Sequence, residues 1–277
     1  MFVDQYPLIT TLTVFIVALS LVLIAYLKRK INTAAFLGSL MLGMGIVLTL
    51  GREYSYAGLL TLMTFFFFGN LVTKYKYETK ERLGVAEGNK GRRNLKNVFG
   101  NGLGPLIFAI MYADSHNTIF LLGFSGAVAT ACSDTFSTEI GQPCGKPRLI
   151  TTLKKVPVGT NGGVSLTGFV AAMLGSGLVA IVCLTFRIAV EPQLFLFICT
   201  LSGFMGCVAD SILGATVEDK KPLNLNKHHV NILATLIGGF FAIALCYALI
   251  NYLQITQISQ ITRILTVEAQ YIVNLFI

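Results

Sequence analysis

Eight runs of apolar residues, at 7–27, 33–51, 56–73, 97–112, 117–133, 164–186, 194–214 and 229–252, commit most of this 277-residue chain to crossing a lipid bilayer. A spanning helix needs about 20 such residues, and shorter runs serve where protein shields the helix from lipid. A mean hydropathy of +0.72 excludes a soluble domain of this length. The chain reads as all-α: one membrane-embedded domain over 1–277, a polytopic bundle of about eight transmembrane helices. The fourth run is short and opens on the glycine-interrupted VFGNGLGP, which predicts a short or broken helix.

The basic residues set the orientation. Eighteen lysines and arginines fall in the alternate segments 28–30, 74–96, 146–155 and 220–227, against Arg52, Arg187 and Arg263 in the others. By the positive-inside rule this places the polar loops on the cytoplasmic face and both termini outside. The first run has no basic residue ahead of it, Lys28-Arg29-Lys30 behind it and no small-residue cleavage site, so it reads as a retained anchor. The formal charge of +8 sits on one side of a membrane, with no soluble basic domain to bind nucleic acid. Six cysteines lie in or at the ends of apolar runs with no C-x-x-C pair, as small core residues and not as a disulfide framework or zinc site. His116, His228 and His229 have no third ligand near them in sequence and read as structural or interfacial.

The chemistry gathers in the cytoplasmic segments. GRRNLKNVFGNGLGP runs Arg92 and Arg93 into a helix start that also carries Asn101. Guanidinium groups beside free helix N–H groups make an anion site, and the same arginines serve equally as a positive stop before a span. The fifth run ends in ACSDTFSTEIG, with ionisable residues at a helix end where burial is costly and function is the default reading. Asp134 and Glu139 stand about 140° apart on an ideal helix, so they share one metal only if the helix loosens near Gly141-Gln142-Pro143. Acids without histidine or thiol suit a hard ion such as Mg²⁺.

Lys154 and Lys155 lead into VPVGTNGGVS, where the glycines and Asn161 between 159 and 163 let successive backbone N–H groups converge on an anion. The lysines precede the glycines, so this is not the P-loop order. GCVADSILG ends the seventh run and puts Asp210 at the depth of Asp134, while Asn226 stands at the next helix entrance as a cap or a substrate contact. Acids for a metal, bases and amides for phosphate, and an apolar interior for a lipid tail point to phosphoryl or nucleotidyl transfer on a lipid. Neither a serine–histidine nor a cysteine–histidine arrangement supports acyl transfer.

The order SDTFSTEIG, PRLITTLKKVPVGTNGGVSLTG, with NGLGP before and ADSILGATVED after, resembles the integral-membrane family that contains the plant chloroplast phytyl-phosphate kinase of tocopherol synthesis. The likeness covers about 92 to 232; residues 1–90, three helices and a basic loop, match in hydropathy, which makes 91–232 the expected catalytic core. A more distant likeness in motif order extends to CTP-dependent phytol and dolichol kinases and CDP-lipid synthases. The resemblance implies phosphorylation of a phytyl or geranylgeranyl monophosphate to its diphosphate, with CTP or ATP as donor and Mg²⁺. It carries Asp134, Ser137, Glu139, Gly159, Thr160, Asn161, Gly162 and Asp210 into the site. Thr138 stands where relatives have serine and keeps the hydroxyl. Asp134, Glu139 and Asp210 are then the expected metal ligands, with Lys154, Lys155 and Arg92 or Arg93 neutralising phosphate. The rivals are a CTP-dependent lipid nucleotidyltransferase, a prenyl alcohol kinase with Asp210 as base, and an ion-coupled transporter built on broken helices.

Overall fold

In the computed structural model, which describes residues 7–87, 93–222 and 225–275 and side chains between 9 and 252, the chain is an all-α polytopic bundle. Its helices are α1 (Pro7–Leu27), α2 (Thr33–Lys74), the short α3 (Tyr77–Arg82), α4 (Leu95–Ser115), α5 (Ile119–Cys144), α6 (Leu166–Cys183), α7 (Pro192–Thr216) and α8 (Lys227–Leu275). Two short strands, β1 (Arg148–Leu149) and β2 (Gly163–Val164), pair antiparallel between α5 and α6. Arg92 and Asn224 lie outside the described residues.

The 42 residues of α2 contain the second and third expected spans. They reverse at Gly51, whose φ of 61° and ψ of −164° are not helical. The limbs 33–50 and 52–74 fold against one another: a Cβ on Gly58 would touch Ile46 and Leu50, and one on Gly43 would meet Leu59. Eight helical limbs therefore stand where eight apolar runs were expected; by length and composition six helices qualify as spans, α2 counting once and α4 falling short.

The limb missing from that six is α4. The expected break in it does not occur: α4 is continuous for 21 residues, through its glycines and through Pro105. Asn94 starts it by accepting from the Asn97 amide at 3.1 Å, and the glycines serve packing, Gly102 against Leu42 and Gly104 against Thr235. Neighbours α2, α5 and α8 flank it, which is how a helix with so many polar residues sits in a bundle of this kind.

α5 is the axis. It packs on α4, α6, α7, α8 and α2, and 83% of its most apolar stretch is buried, against 11% for α1 at the periphery. Its small residues allow this: Gly126 lies against Ala242 and Gly238, and Thr130 against Gly206. One end of the bundle collects Lys30, Arg93, Cys144, the β1–β2 loop and Lys227; the other collects Gly51, His116 and Arg187, tied by the Tyr56 hydroxyl donating to the Thr185 carbonyl at 2.8 Å.

The φ and ψ of Gly51 belong to a region that glycine alone occupies comfortably, and no atom lies within 4 Å of where its Cβ would be. Gly51→Val should therefore cost about 1–3 kcal/mol of backbone strain with no clash. The check is a lowered Tm in detergent with unchanged helical circular dichroism.

Candidate active site

The basic end of the bundle holds two polar cavities and an apolar crevice, joined in sequence. The outer cavity, about 140 Å³, lies between the ends of α5, α6 and α7 and the loop joining β1 to β2. Asp134, Ser137 and Thr138 face it from α5, Asp210 and Ser211 from α7, Gly159 to Gly163 from the loop, and Glu218 and Lys227 from the α7–α8 connection and the start of α8. The inner chamber, about 80 Å³, shares Asp134, Thr138 and Lys227 with it and adds Glu87, Arg93, Asn97, Asn101, Glu139, His228 and Asn231. Arg93, Asn97 and Asn101 then border the crevice, about 120 Å³ and otherwise lined mainly by α1, α2 and α4, with Ile31 and, from α5, Val128.

The loop is a folded flap. β1 pairs with β2, Ile150 donates to the Gly162 carbonyl at 3.0 Å, and Gly163 donates to Thr160 at 2.9 Å. Gly162, at φ 74°, lies so close to α7 that a Cβ would stand 2.5 Å from Ala215 Cβ and 2.6 Å from the Ser211 carbonyl, which seats the turn against the helix end. Within 159–163 the amides of Thr160 and Gly163 are taken by the Pro157 and Thr160 carbonyls, so the expected unbroken run of free N–H groups is interrupted; among the described residues those of Gly159, Asn161 and Gly162 donate to no carbonyl. Thr160 turns its hydroxyl to the Pro157 carbonyl at 2.8 Å.

The acids fall differently from the sequence expectation. α5 does not loosen at Gly141-Gln142-Pro143 but runs on to Cys144, so Asp134 and Glu139 keep separate surroundings. Glu139 is bound to the ammonium of Lys80, which also donates to the Thr73 carbonyl at 2.8 Å. Lys80 is fully buried although it lies on α3, a helix whose sequence, YETKER, is mostly charged. Asp134 instead shares the outer cavity with Asp210, the two acids facing it from α5 and α7. Two carboxylates facing one cavity repel unless a proton or cation lies between them.

Among the described residues no three of His, Cys, Asp and Glu cluster as a metal cage, so the expected trio of Asp134, Glu139 and Asp210 does not assemble. The pair Asp134 and Asp210, with the hydroxyls of Ser137, Thr138 and Ser211 beside it, still suits Mg²⁺, which uses one or two carboxylates and takes its other oxygens from water and substrate phosphate.

The bases also separate. Lys154 and Lys155 are exposed on the flap and border none of the three spaces, whereas Arg93 and Lys227 do. Arg93 is held by its backbone, donating to Lys30 at 2.9 Å and accepting from Asn32 at 3.3 Å, and its guanidinium makes one long hydrogen bond, 3.5 Å, to Thr73. Burial lowers its pKa from the ordinary value, while Glu87 and Glu139 oppose that. Burial likewise pushes the Glu218 carboxyl up, with Lys227 opposing and Asp219 and Asp134 adding to the rise.

Asn226 caps α8, accepting from the amides of His228 and His229 at 3.0 and 3.2 Å, which favours the cap over substrate contact. Asn101 accepts from the Asn231 amide at 3.1 Å, and the Asn231 Oδ1 is left buried without a partner. Lys227 was counted in the basic loop but not singled out. A cation in the first turn of a helix opposes the helix dipole, and that was the available signal. Lys80 gave none, because its partner lies 59 residues away.

Comparison with known proteins places this site in a family. The model of the integral membrane protein family DUF92 matches residues 16–239. The chain belongs to that family. It is 34% identical over 239 residues to the uncharacterized membrane protein MJ0933 of Methanocaldococcus jannaschii, covering 84% of this chain and 94% of the relative. It is 35% identical over 199 residues to the chloroplastic protein VTE6 of Arabidopsis thaliana, covering 69% of this chain and 59% of the relative. The Synechocystis membrane protein sll0875 is 33% identical over 194 residues, 69% of this chain and 74% of the relative. The family resemblance read from the SDT and VPVGTNGG motifs is thereby shown. No solved structure matches the chain.

The Lys80–Glu139 pair generates a prediction. Lys80→Met should leave Glu139 buried without a partner and cost about 3–5 kcal/mol, whereas Lys80→Met with Glu139→Leu should recover most of that. Thermal melts of the two single variants and the double variant measure it; a double-variant loss equal to the sum of the two single losses would mean the pair contributes nothing.

Proposed function

We propose that this protein is a membrane-embedded prenyl-monophosphate kinase, transferring a phosphoryl group from a nucleoside triphosphate, CTP or ATP, to a phytyl or geranylgeranyl monophosphate. The observation that carries the reading is the sequence of spaces: an amide-lined cavity with two carboxylates, a cationic chamber, and an apolar crevice, with Asp134, Thr138 and Lys227 bordering the first two. The family resemblance in the SDTFSTEIG and VPVGTNGGVS segments supports it. The one-sided distribution of basic residues supports a cytoplasmic position for this end, where nucleotides are.

In this reading the amides of Gly159, Asn161 and Gly162 receive the nucleotide phosphates. Asp134 and Asp210 hold Mg²⁺, which supplies neutralisation of the β- and γ-phosphate charge. Arg93 and Lys227 hold the acceptor phosphate in the inner chamber. A phosphate monoester is largely dianionic near pH 7, its second pKa being about 6, so its oxygen needs positioning more than deprotonation. Lys227, between the two polyanions, offsets their repulsion. One observation favours a prenyl alcohol as acceptor instead: Asn231 Oδ1 is an unpartnered acceptor that suits a hydroxyl.

The test is label transfer by purified protein in lipid nanodiscs, with Mg²⁺, CTP or ATP, and geranylgeranyl monophosphate or geranylgeraniol. The kinase moves γ-label onto the monophosphate. Incorporation of α-label would replace it with a nucleotidyltransferase, γ-label on the alcohol alone with an alcohol kinase, and no transfer from folded protein would sink all three. Asp134→Asn should lower turnover at least about a hundredfold with the melting profile retained.

A further inference from the structure

We infer that the apolar crevice between α1, α2 and α4 holds the isoprenoid tail of the acceptor, with its phosphate on Arg93; this rests on the kinase reading above. Most of the tail-binding wall is then supplied by α1 and α2, ahead of the segment that carries the family motifs, and α4 completes it.

Three observations lead there. The crevice is walled by Val22 of α1, by Leu42, Leu59, Met63 and Phe66 of α2, and by Val98 of α4, and three of its polar members, Arg93, Asn97 and Asn101, also border the inner chamber; Ser39 is the other. An amphipathic ligand with one charged end and one apolar end matches that division. The crevice has room at Gly43, where an added Cβ would meet nothing nearer than Leu59 at 3.9 Å.

Arg93 lacks an anion. Burial disfavours its charge, yet its guanidinium makes only the 3.5 Å contact with Thr73 among the described residues. Of the acids lining the chamber, Glu139 pairs with Lys80, Glu87 accepts from the Asn97 amide at 2.8 Å, and Asp134 also faces the outer cavity with Asp210. A guanidinium with unsatisfied donors at the head of an apolar space calls for a compact anion such as a phosphate monoester.

The third observation is Asn231, 9% exposed and lining the same chamber. Its amide donates to Asn101, and Asn101 donates to the Asn97 carbonyl at 3.2 Å, an order that leaves Asn231 Oδ1 as an acceptor with no donor. The chamber thus offers guanidinium donors from Arg93 and an acceptor at Asn231 Oδ1. A hydrated phosphate monoester answers both, its oxygens accepting from Arg93 and its hydration donating to Asn231. The chamber is small, which suits a bare monoester on a single chain better than a glycerolipid head group.

The experiment is photolabelling of the wild-type protein in nanodiscs with geranylgeranyl monophosphate bearing a tail diazirine, without nucleotide, followed by peptide mapping. Adducts are expected on α1, the two limbs of α2 and α4. Unlabelled geranylgeranyl monophosphate should displace them, dioleoyl phosphatidic acid should not, and Arg93→Gln and Gly43→Phe should weaken them. In turnover, Gly43→Phe should raise KM for the twenty-carbon phosphate about tenfold more than for a five-carbon prenyl phosphate. Adducts confined to α6 or α7, or labelling unchanged in Gly43→Phe, would overturn the tail site while leaving kinase activity intact. Equal displacement by phosphatidic acid would overturn the isoprenoid assignment. Specific labelling of the crevice with no phosphoryl transfer would overturn the kinase reading and leave the tail site standing.

Discussion

A helix enclosed on nearly every side cannot leave a polar group unpaired, and α5 carries the acids of the candidate site on such a helix. This constraint organises the basic end of the bundle. Its inner face is built from glycine, alanine, serine and cysteine, so that α6, α7 and α8 can approach it. Close approach brings α7 near enough for Asp210 to share a cavity with Asp134, and α8 near enough for Lys227 to border it. The packing that lets the helix sit in a membrane is therefore the packing that assembles the polar cavity.

Glu139 shows the other solution to the same problem. It too is buried, but Lys80 reaches it from α3, and the ion pair fastens the connection between α2 and α4 to the central helix. That connection leads to Arg93, whose backbone is also tied to the α1–α2 turn through Lys30 and Asn32. The guanidinium is thus placed by chain contacts and not by a partner for its charge, an arrangement that leaves its donors available for a ligand.

Much of this was legible in the sequence, for reasons that can be stated. Apolar run length and the one-sided distribution of basic residues predict eight crossings, because bilayer thickness and membrane charge act on local sequence. The reversal at Gly51 was readable as a gap between two runs. The flap glycines were readable because a turn needs positive φ, which Gly159 and Gly162 adopt. What failed to show were pairings across helices. Helical periodicity relates Asp134 to Glu139 but carries nothing about Lys80 or Asp210, which tertiary packing brings to the same end of α5. The glycines of VFGNGLGP suggested a break because propensity counts against them, and contacts with Leu42 and Thr235 override it. Lys154 and Lys155 drew attention by adjacency to the glycines, yet strand pairing turns them outward.

The division of labour along the chain follows from these contacts. The segment bearing the SDT and VPVGTNGG motifs builds the cavity of carboxylates and amides, whose requirements are chemical and hence visible as particular residue types. The segment before it contributes apolar surface, whose requirement is shape, and many combinations of Leu, Met, Phe and Val meet it equally well. The family match nonetheless begins at residue 16, so the likeness reaches through α1 and α2 and is not confined to the stretch from about 92 to 232 that the motifs mark. The junction between the two is Arg93, Asn97 and Asn101, three polar residues within the first turns of α4 and just before it, bordering the crevice on one side and the inner chamber on the other. That junction explains why α4 is the least apolar of the crossings and why it is shielded by α2, α5 and α8: its polar residues face the interior path between a lipid-like space and a water-like one.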